Sequence, residues 1–205
     1  MQIKIQPMGT HQTNCYIVTT TVDGRDRDII VDPGVGATKW VVESCSNPIA
    51  ILNTHGHFDH VWSNAEIKEL LNIPIYVPKE DAFMLENDPF SQGTPPSKPD
   101  YLVDGDELLD IDGIKIKFRH FAGHTPGCSI IEMGDVWFSG DFLFQRSIGR
   151  WDFPYSSAKD MIESLQRASK IDGDYTLYPG HGLSTTLKIE QKYMPYWIEQ
   201  VISTL

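Results

Sequence analysis

Four side chains able to bind a metal crowd into six residues of the segment THGHFDH (Thr54–His60): His55, His57, Asp59 and His60. Neutral imidazole and carboxylate are good ligands for zinc, iron or manganese. The spacing of His55 and His57 lets two histidines face one ion, while the Asp59–His60 pair faces a neighbouring one. The chain has only seven histidines, and three of them fall in this segment. A polar surface loop with chance histidines is the plain alternative, and three further candidates argue against it. His124 lies in GHTPGC, Asp141 in SGD and His181 in PGHG. Each is flanked by glycine or follows it, which permits tight backbone turns around a site. Singly, His124 or His181 would more often be structural; together the set makes seven candidate ligands.

The elements that must position these residues are short strands followed by turns. THGHFDH follows a buried apolar run, Ile49–Leu52, and precedes Ser63-Asn64-Ala65-Glu66, a capping-box pattern that predicts a helix to about Leu71. His124 comes just after the alternating strand pattern 114–121, Asp141 after 136–138 and His181 after 175–178. Ends of adjacent strands converge on one sheet edge, so four strand ends can bring seven ligands together. Further strands are expected at 3–5, 15–19, 28–31 and 73–77, with hairpin signals at Asp23-Gly24 and Asp112-Gly113. Helices are expected at 38–45, 79–85, 157–170 and across most of 185–205. The proline-bearing stretch 86–104 reads as a long loop of the kind that serves as a lid or binding loop. Strand runs with helices at both ends predict two sheets with outer helices. No linker divides the chain, so residues 1–205 are expected to form one catalytic domain.

Composition excludes several classes. With 205 residues, 40% hydrophobic and 22% charged, the chain can bury a substantial core. Its formal charge of -11 opposes binding to nucleic-acid phosphates. No stretch of eighteen apolar residues is present to span a membrane. The N-terminus does not read as a secretory signal. Three widely spaced cysteines, Cys15, Cys45 and Cys128, give no disulfide framework, so a cytoplasmic setting is expected.

The order HxHxDH, then His, Asp and His, resembles the metallo-β-lactamase superfamily over nearly the whole chain. The resemblance implies an α/β fold, a four-layer αββα sandwich with two divalent metal ions at one sheet edge, zinc first and iron or manganese as possibilities. It implies that His55, His57 and His124 bind one ion, that Asp59, His60 and His181 bind the other, and that Asp141 bridges them. Asp32 in VDPG matches a recurring aspartate that orients the site through its ligands; a plain turn aspartate reads equally well. GHTPGCSI, SGDFLFQRSIGRWDFP and YPGHGLSTT resemble the glyoxalase II branch. That branch implies hydrolysis of an S-2-hydroxyacylglutathione, or a related small anionic acyl thioester, by metal-activated water that Asp59 orients. Arg150 and Asp152 match its GR-x-D element, where Arg150 either holds a substrate carboxylate or pairs with Asp152 inside the fold, the second being favoured. Longer glyoxalase II enzymes hold glutathione with a helical C-terminal extension, which the 24 residues after His181 are not expected to contain.

The main alternative is an oxidoreductase of the persulfide dioxygenase kind, which shares much of this motif set and uses one iron. Lactonase, β-lactamase and nuclease activities are weaker readings, and an inactive metal-binding interaction protein is the non-enzymatic one. His120 is expected to be a buried, hydrogen-bonded histidine, and Cys128 a small buried residue. His11 has no evident partner. Phe90, Tyr101, Trp151 and Phe153 could line a substrate pocket or pin loops.

Overall fold

The first sheet begins with an antiparallel meander and then turns parallel. In the computed structural model, which describes residues 1–205, its strands are β1 (Gln2–Met8), β2 (Thr13–Val22), β3 (Arg25–Val31), β4 (Pro48–Leu52), β5 (Ile75–Pro78) and β6 (Tyr101–Val103), paired in that order. The crossovers from β3 to β4 and from β4 to β5 carry α1 (Thr38–Ser44), α2 (Phe58–Val61) and α3 (Asn64–Leu71); α4 (Ala82–Asn87) follows β5. A parallel β4 with neighbours on both sides is buried on both faces, which is why PIAIL reads as a continuous apolar run.

The second sheet is built from β7 (Glu107–Ile111), β8 (Ile114–His120), β9 (Ser129–Met133) and β10 (Val136–Gly140). A small ribbon of β11 (Leu143–Phe144) and β12 (Ser147–Ile148) stands apart, and β13 (Thr176–Pro179) and β14 (Thr185–Thr186) complete the sheet in the order β14-β13-β10-β9-β8-β7. Strand β8 shows the alternation best: Ile114, Ile116 and Phe118 are buried between the sheets while Lys115 faces water. α5 (Ala158–Ala168), α6 (Leu187–Gln191) and α7 (Met194–Ile202) cover the outer face of this sheet.

Three apolar clusters define four layers. One lies between the sheets and joins Tyr16, Val31 and Leu52 to Ile116, Phe118 and Phe138. A second packs β9, β10 and β13 against α5 to α7 through Ile130, Trp137, Met161 and Leu165. A third packs the first sheet against α1, α3 and α4 through Ile30, Val41, Ile51 and Ile67. This is the expected αββα sandwich.

Several local expectations are corrected. Ser63 precedes α3 without capping it: its hydroxyl donates to the Gly34 carbonyl (2.7 Å) and accepts from the Ala37 amide (3.2 Å), while Glu66 takes a hydrogen bond from Thr38 (2.5 Å). The capping-box residues are recruited to fasten α1 to α3. The stretch 86–104 is not loop throughout, since residues 101–103 form edge strand β6 beside β5. Asp59 and His60 lie in the one-turn helix α2 rather than in open loop. The last helical stretch is two helices, α6 and α7, with Pro195 in the opening turn of α7.

Candidate metal centre

Seven strand-end residues meet at one edge of the sandwich, and both sheets contribute. From the end of β4 come His55 and His57, and then Asp59 and His60 on α2. The loop after β8 brings His124, the end of β10 brings Asp141 and the end of β13 brings His181. One coordinating atom from each of His55, His57 and His124 lies within 4.8 Å of the others, and the same holds for Asp59, His60 and His181. Asp141 stands between the groups: Oδ1 is 3.3 Å from His60 Nε2, and Oδ2 is 3.4 Å from both His124 Nε2 and His181 Nε2.

The imidazoles are oriented from behind. His124 Nδ1 donates to the Arg150 carbonyl (2.8 Å) and His181 Nδ1 to the His11 carbonyl (3.0 Å). His60 Nδ1 faces Asp32 Oδ2 at 3.0 Å, and His55 Nδ1 lies 3.1 Å from Thr54 Oγ1. Each contact commits Nδ1 and leaves Nε2 to the site. The Nε2 atoms of His55, His60 and His124 and Oδ1 of Asp141 are buried with no hydrogen-bond partner. Buried polar atoms without partners are costly and rare. Here several converge, and imidazole nitrogen with carboxylate oxygen is a donor set that suits a divalent cation. The residues present therefore fit a pair of metal ions.

Ionisation favours the same conclusion. Burial, reinforced by the neighbouring imidazoles, pushes the pKa values of His55 and His57 down, and burial lowers that of His124. Burial opposes charge on Asp59 and Asp141, but the field of His60 prevails and holds both carboxyls below the usual range. Despite their own burial, His60 is drawn up by those two carboxylates and His181 is pushed up to about 9. Two carboxylates without a lysine or arginine partner attract a cation, whether proton or metal.

Asp32 ties the centre to the first sheet. At φ +49° it turns the chain after β3, and its carboxylate accepts from the Thr54 amide (2.8 Å) and hydroxyl (2.6 Å) as well as facing His60. Arg150 and Asp152 do pair, through contacts of 2.8 and 2.6 Å, but on the surface rather than inside the fold. Neither residue lines the cavity at the centre; the Arg150 carbonyl accepts from His124 Nδ1 behind it. His120 is half-buried and its Nε2 lies 2.7 Å from the Pro126 carbonyl, clear of the centre. Cys128 is fully buried, and burial pushes its thiol well up. Gly180 lets the β13 end approach closely, because a Cβ there would fall 2.1 Å from Asp141 Oδ1.

Other residues had no signal in the motif pattern. Thr13 Oγ1 donates to Asp59 Oδ2 (2.7 Å), fixing the second group from the first residue of β2. Asp81 is fully buried and accepts from the Gly56 amide (2.9 Å), the Thr125 hydroxyl (2.6 Å) and the Gly127 amide (2.6 Å). It thereby joins the HxH turn to the loop that carries His124. An acidic residue at a helix start is ordinary, so Asp81 does not stand out in the sequence. The cavity beside the centre, about 300 Å³, is walled by His11, Phe58, Phe90, Gln92, Phe153 and Pro154. Phe90 and Phe153 thus line it, whereas Tyr101 meets Tyr76 in a tilted pair and Trp151 donates to Thr204.

Comparison with known proteins agrees with this geometry. The sequence profile of the metallo-beta-lactamase superfamily matches residues 8–181. The hydroxyacylglutathione hydrolase GloC of Haemophilus influenzae is 33% identical over 96% of this chain and 98% of its own. Among solved structures, the B3 metallo-beta-lactamase BLEG-1 superposes with a TM-score of 0.82 at 29% identity, covering 95% of this chain and 99% of its own. A protein solved in a di-iron-bound form superposes with a TM-score of 0.80 at 31% identity, covering 94% and 99%.

Proposed function

The chain belongs to the metallo-beta-lactamase superfamily, and from that premise we propose that it is a glyoxalase II-like thioesterase cleaving an S-2-hydroxyacylglutathione or a related small acyl thioester. The observation that carries the reading is the set of buried, unpartnered Nε2 atoms at one edge: those of His60 and His124 face Asp141, and that of His55 belongs to the group with His57 and His124. In this reading His55, His57 and His124 would hold one divalent ion and Asp59, His60 and His181 the other, with Asp141 available between the two groups. Zinc suits the donors, and so do iron and manganese; the di-iron neighbour supports iron. Bound cations supply a water acidic enough to ionise near neutral pH and polarise the carbonyl it attacks.

The chain's own groups supply orientation. Asp59, its Oδ2 fixed by Thr13, orients the attacking water, and Asp32 holds His60 in one tautomer. His57, His124, Asp59, Asp141 and His181 all line the cavity, so a carbonyl entering it meets both ligand groups. The 33% identity to GloC supports the thioesterase assignment. Substrates are small molecules; the formal charge of -11 disfavours nucleic acids. The cytoplasmic setting belongs to the same reading and is supported by three free cysteines.

The test is elemental analysis of the purified protein together with hydrolysis of S-lactoylglutathione. About two metal equivalents per chain and loss of turnover on chelation are expected. Full activity after complete metal removal would overturn the reading. Asp59→Ala should abolish turnover, and unchanged cellular function in that variant would favour the inactive interaction protein. A second reading, β-lactam hydrolysis, is supported by the likeness to BLEG-1. Nitrocefin cleavage faster than thioester cleavage would favour it.

A further inference from the structure

Three phenylalanines stand around the open side of the centre, and they come from three separate segments: Phe58 from α2, Phe90 from the stretch after α4, and Phe153 from the stretch after β12. The Phe90 ring centroid is 5.2 Å from that of His57, and Phe153 lies 6.1 Å from His57 and 6.0 Å from His124. The Phe90 ring is held in place. Phe90 meets Tyr155 edge-on at 5.8 Å, and Tyr155 meets Phe83 at 5.2 Å. The turn that carries Phe90 is closed by Asp88, which accepts from the Gln92 and Gly93 amides and the Thr94 hydroxyl. Aromatic walls fixed before the ligand arrives bind apolar groups without an ordering cost.

No lysine or arginine lines the cavity. The guanidinium of Arg150 sits over the face of Phe153, 4.4 Å from its centroid, and is engaged by both oxygens of Asp152. The only carboxylates in the lining, Asp59 and Asp141, belong to the metal groups. A glutathione thioester brings two carboxylates and an ammonium. On the walls beyond the metal groups these charges would meet only Gln92 and His11 as polar side chains, and poorly paired charges lose hydration that is not replaced.

Resting on the thioesterase reading, we propose that the thiol carrier of the preferred substrate is compact, uncharged and apolar, and that Phe58, Phe90 and Phe153 select it. The reaction remains ester hydrolysis: water adds to the carbonyl, the carbon–sulfur bond breaks, and the products are a 2-hydroxy acid and a free thiol.

The experiment compares the lactoyl thioesters of benzyl mercaptan and of glutathione with the metal-loaded protein, each rate divided by its uncatalysed rate in hydroxide. The expected kcat/KM for the benzyl thioester is about tenfold or more above that for the glutathione thioester. Phe90→Ser and Phe153→Ser should bring the ratio towards parity, mainly by raising KM for the benzyl compound. Gln92→Lys, which adds a cation to the wall, should move the ratio towards glutathione. Metal content is measured on every variant, so that loss of the centre is recognised. Preference for the glutathione thioester, or a ratio insensitive to both phenylalanine changes, overturns this inference and leaves the thioesterase reading standing. Turnover of neither compound overturns the thioesterase reading itself.

Discussion

Each imidazole has two nitrogens, and in His55, His60, His124 and His181 one of them is already committed to a neighbour, so coordination costs little reorientation. Asp32 is the most connected of those neighbours, because it restrains His60 directly and His55 through Thr54. Asp32→Asn keeps the side-chain shape, and asparagine tolerates the positive φ. It should weaken metal binding about 10- to 100-fold, the range for loss of a group that orients a ligand, as read by competition with a chelator. Asp32→Ala also leaves the Thr54 amide and hydroxyl without their acceptor, and should lose more. Unchanged affinity in the alanine variant would show that Asp32 is only a turn residue. The ligand types were legible in the sequence because histidines are scarce and three fall within six positions. Asp32 was legible only through resemblance, since DPG is also an ordinary turn. Thr13 was not legible at all: a threonine hydroxyl aimed at Asp59 from 46 residues away leaves no pattern.

Between elements, the loops are joined by side chains that belong to neither. Asp81 sits where Lys79–Asp81 leads into α4, and three donors from the two histidine-bearing loops converge on it. Burial raises its carboxyl from 3.8 to about 6 against the pull of those hydrogen bonds. Below about pH 4 the carboxyl is protonated folded or unfolded and costs nothing. Between about 4 and 6 the folded protein keeps a proton that the unfolded chain has lost, so this contribution to stability falls as pH rises. Above 6 the ionised buried group costs about 3 kcal/mol. In Asp81→Asn the titration is gone, so the stability of the native protein minus that of the variant should decline between pH 4 and 6 in urea unfolding. A flat difference would show that Asp81 is ionised throughout. Strand positions were readable from alternation and apolar runs, as in β8 and β4. The recruitment of Ser63 and Glu66 between α1 and α3 was not, because a capping box and an interhelical tie use the same residues.

For the molecule as a whole, the four layers were foreseeable from the order of apolar runs, since a two-faced sheet must be covered on both sides. Which strand ends meet was foreseeable only as a group, because strand order is set by long-range pairing such as β10 against β13, which local sequence does not encode. The result has an energetic consequence. Loops from both sheets carry ionised Asp59 and Asp141 and unpartnered imidazole nitrogens into one buried edge, in a chain of formal charge -11. Cations bound there would complete the donors of both halves at once, so metal binding is expected to be linked to the stability of the sandwich. At free metal near 1,000 times the dissociation constant, the linkage contributes about 4 kcal/mol. For a chain of this length that corresponds to a rise in Tm of roughly 10 °C. Calorimetry of chelator-stripped protein, before and after titration with zinc, should show that rise. Asp141→Asn, which weakens the one residue contacting both groups, should shrink the gap between metal-free and metal-loaded protein more than Asp32→Asn does. If stripping left Tm unchanged, the two sheets would be held together without the centre, and the seven residues would owe their arrangement to packing alone.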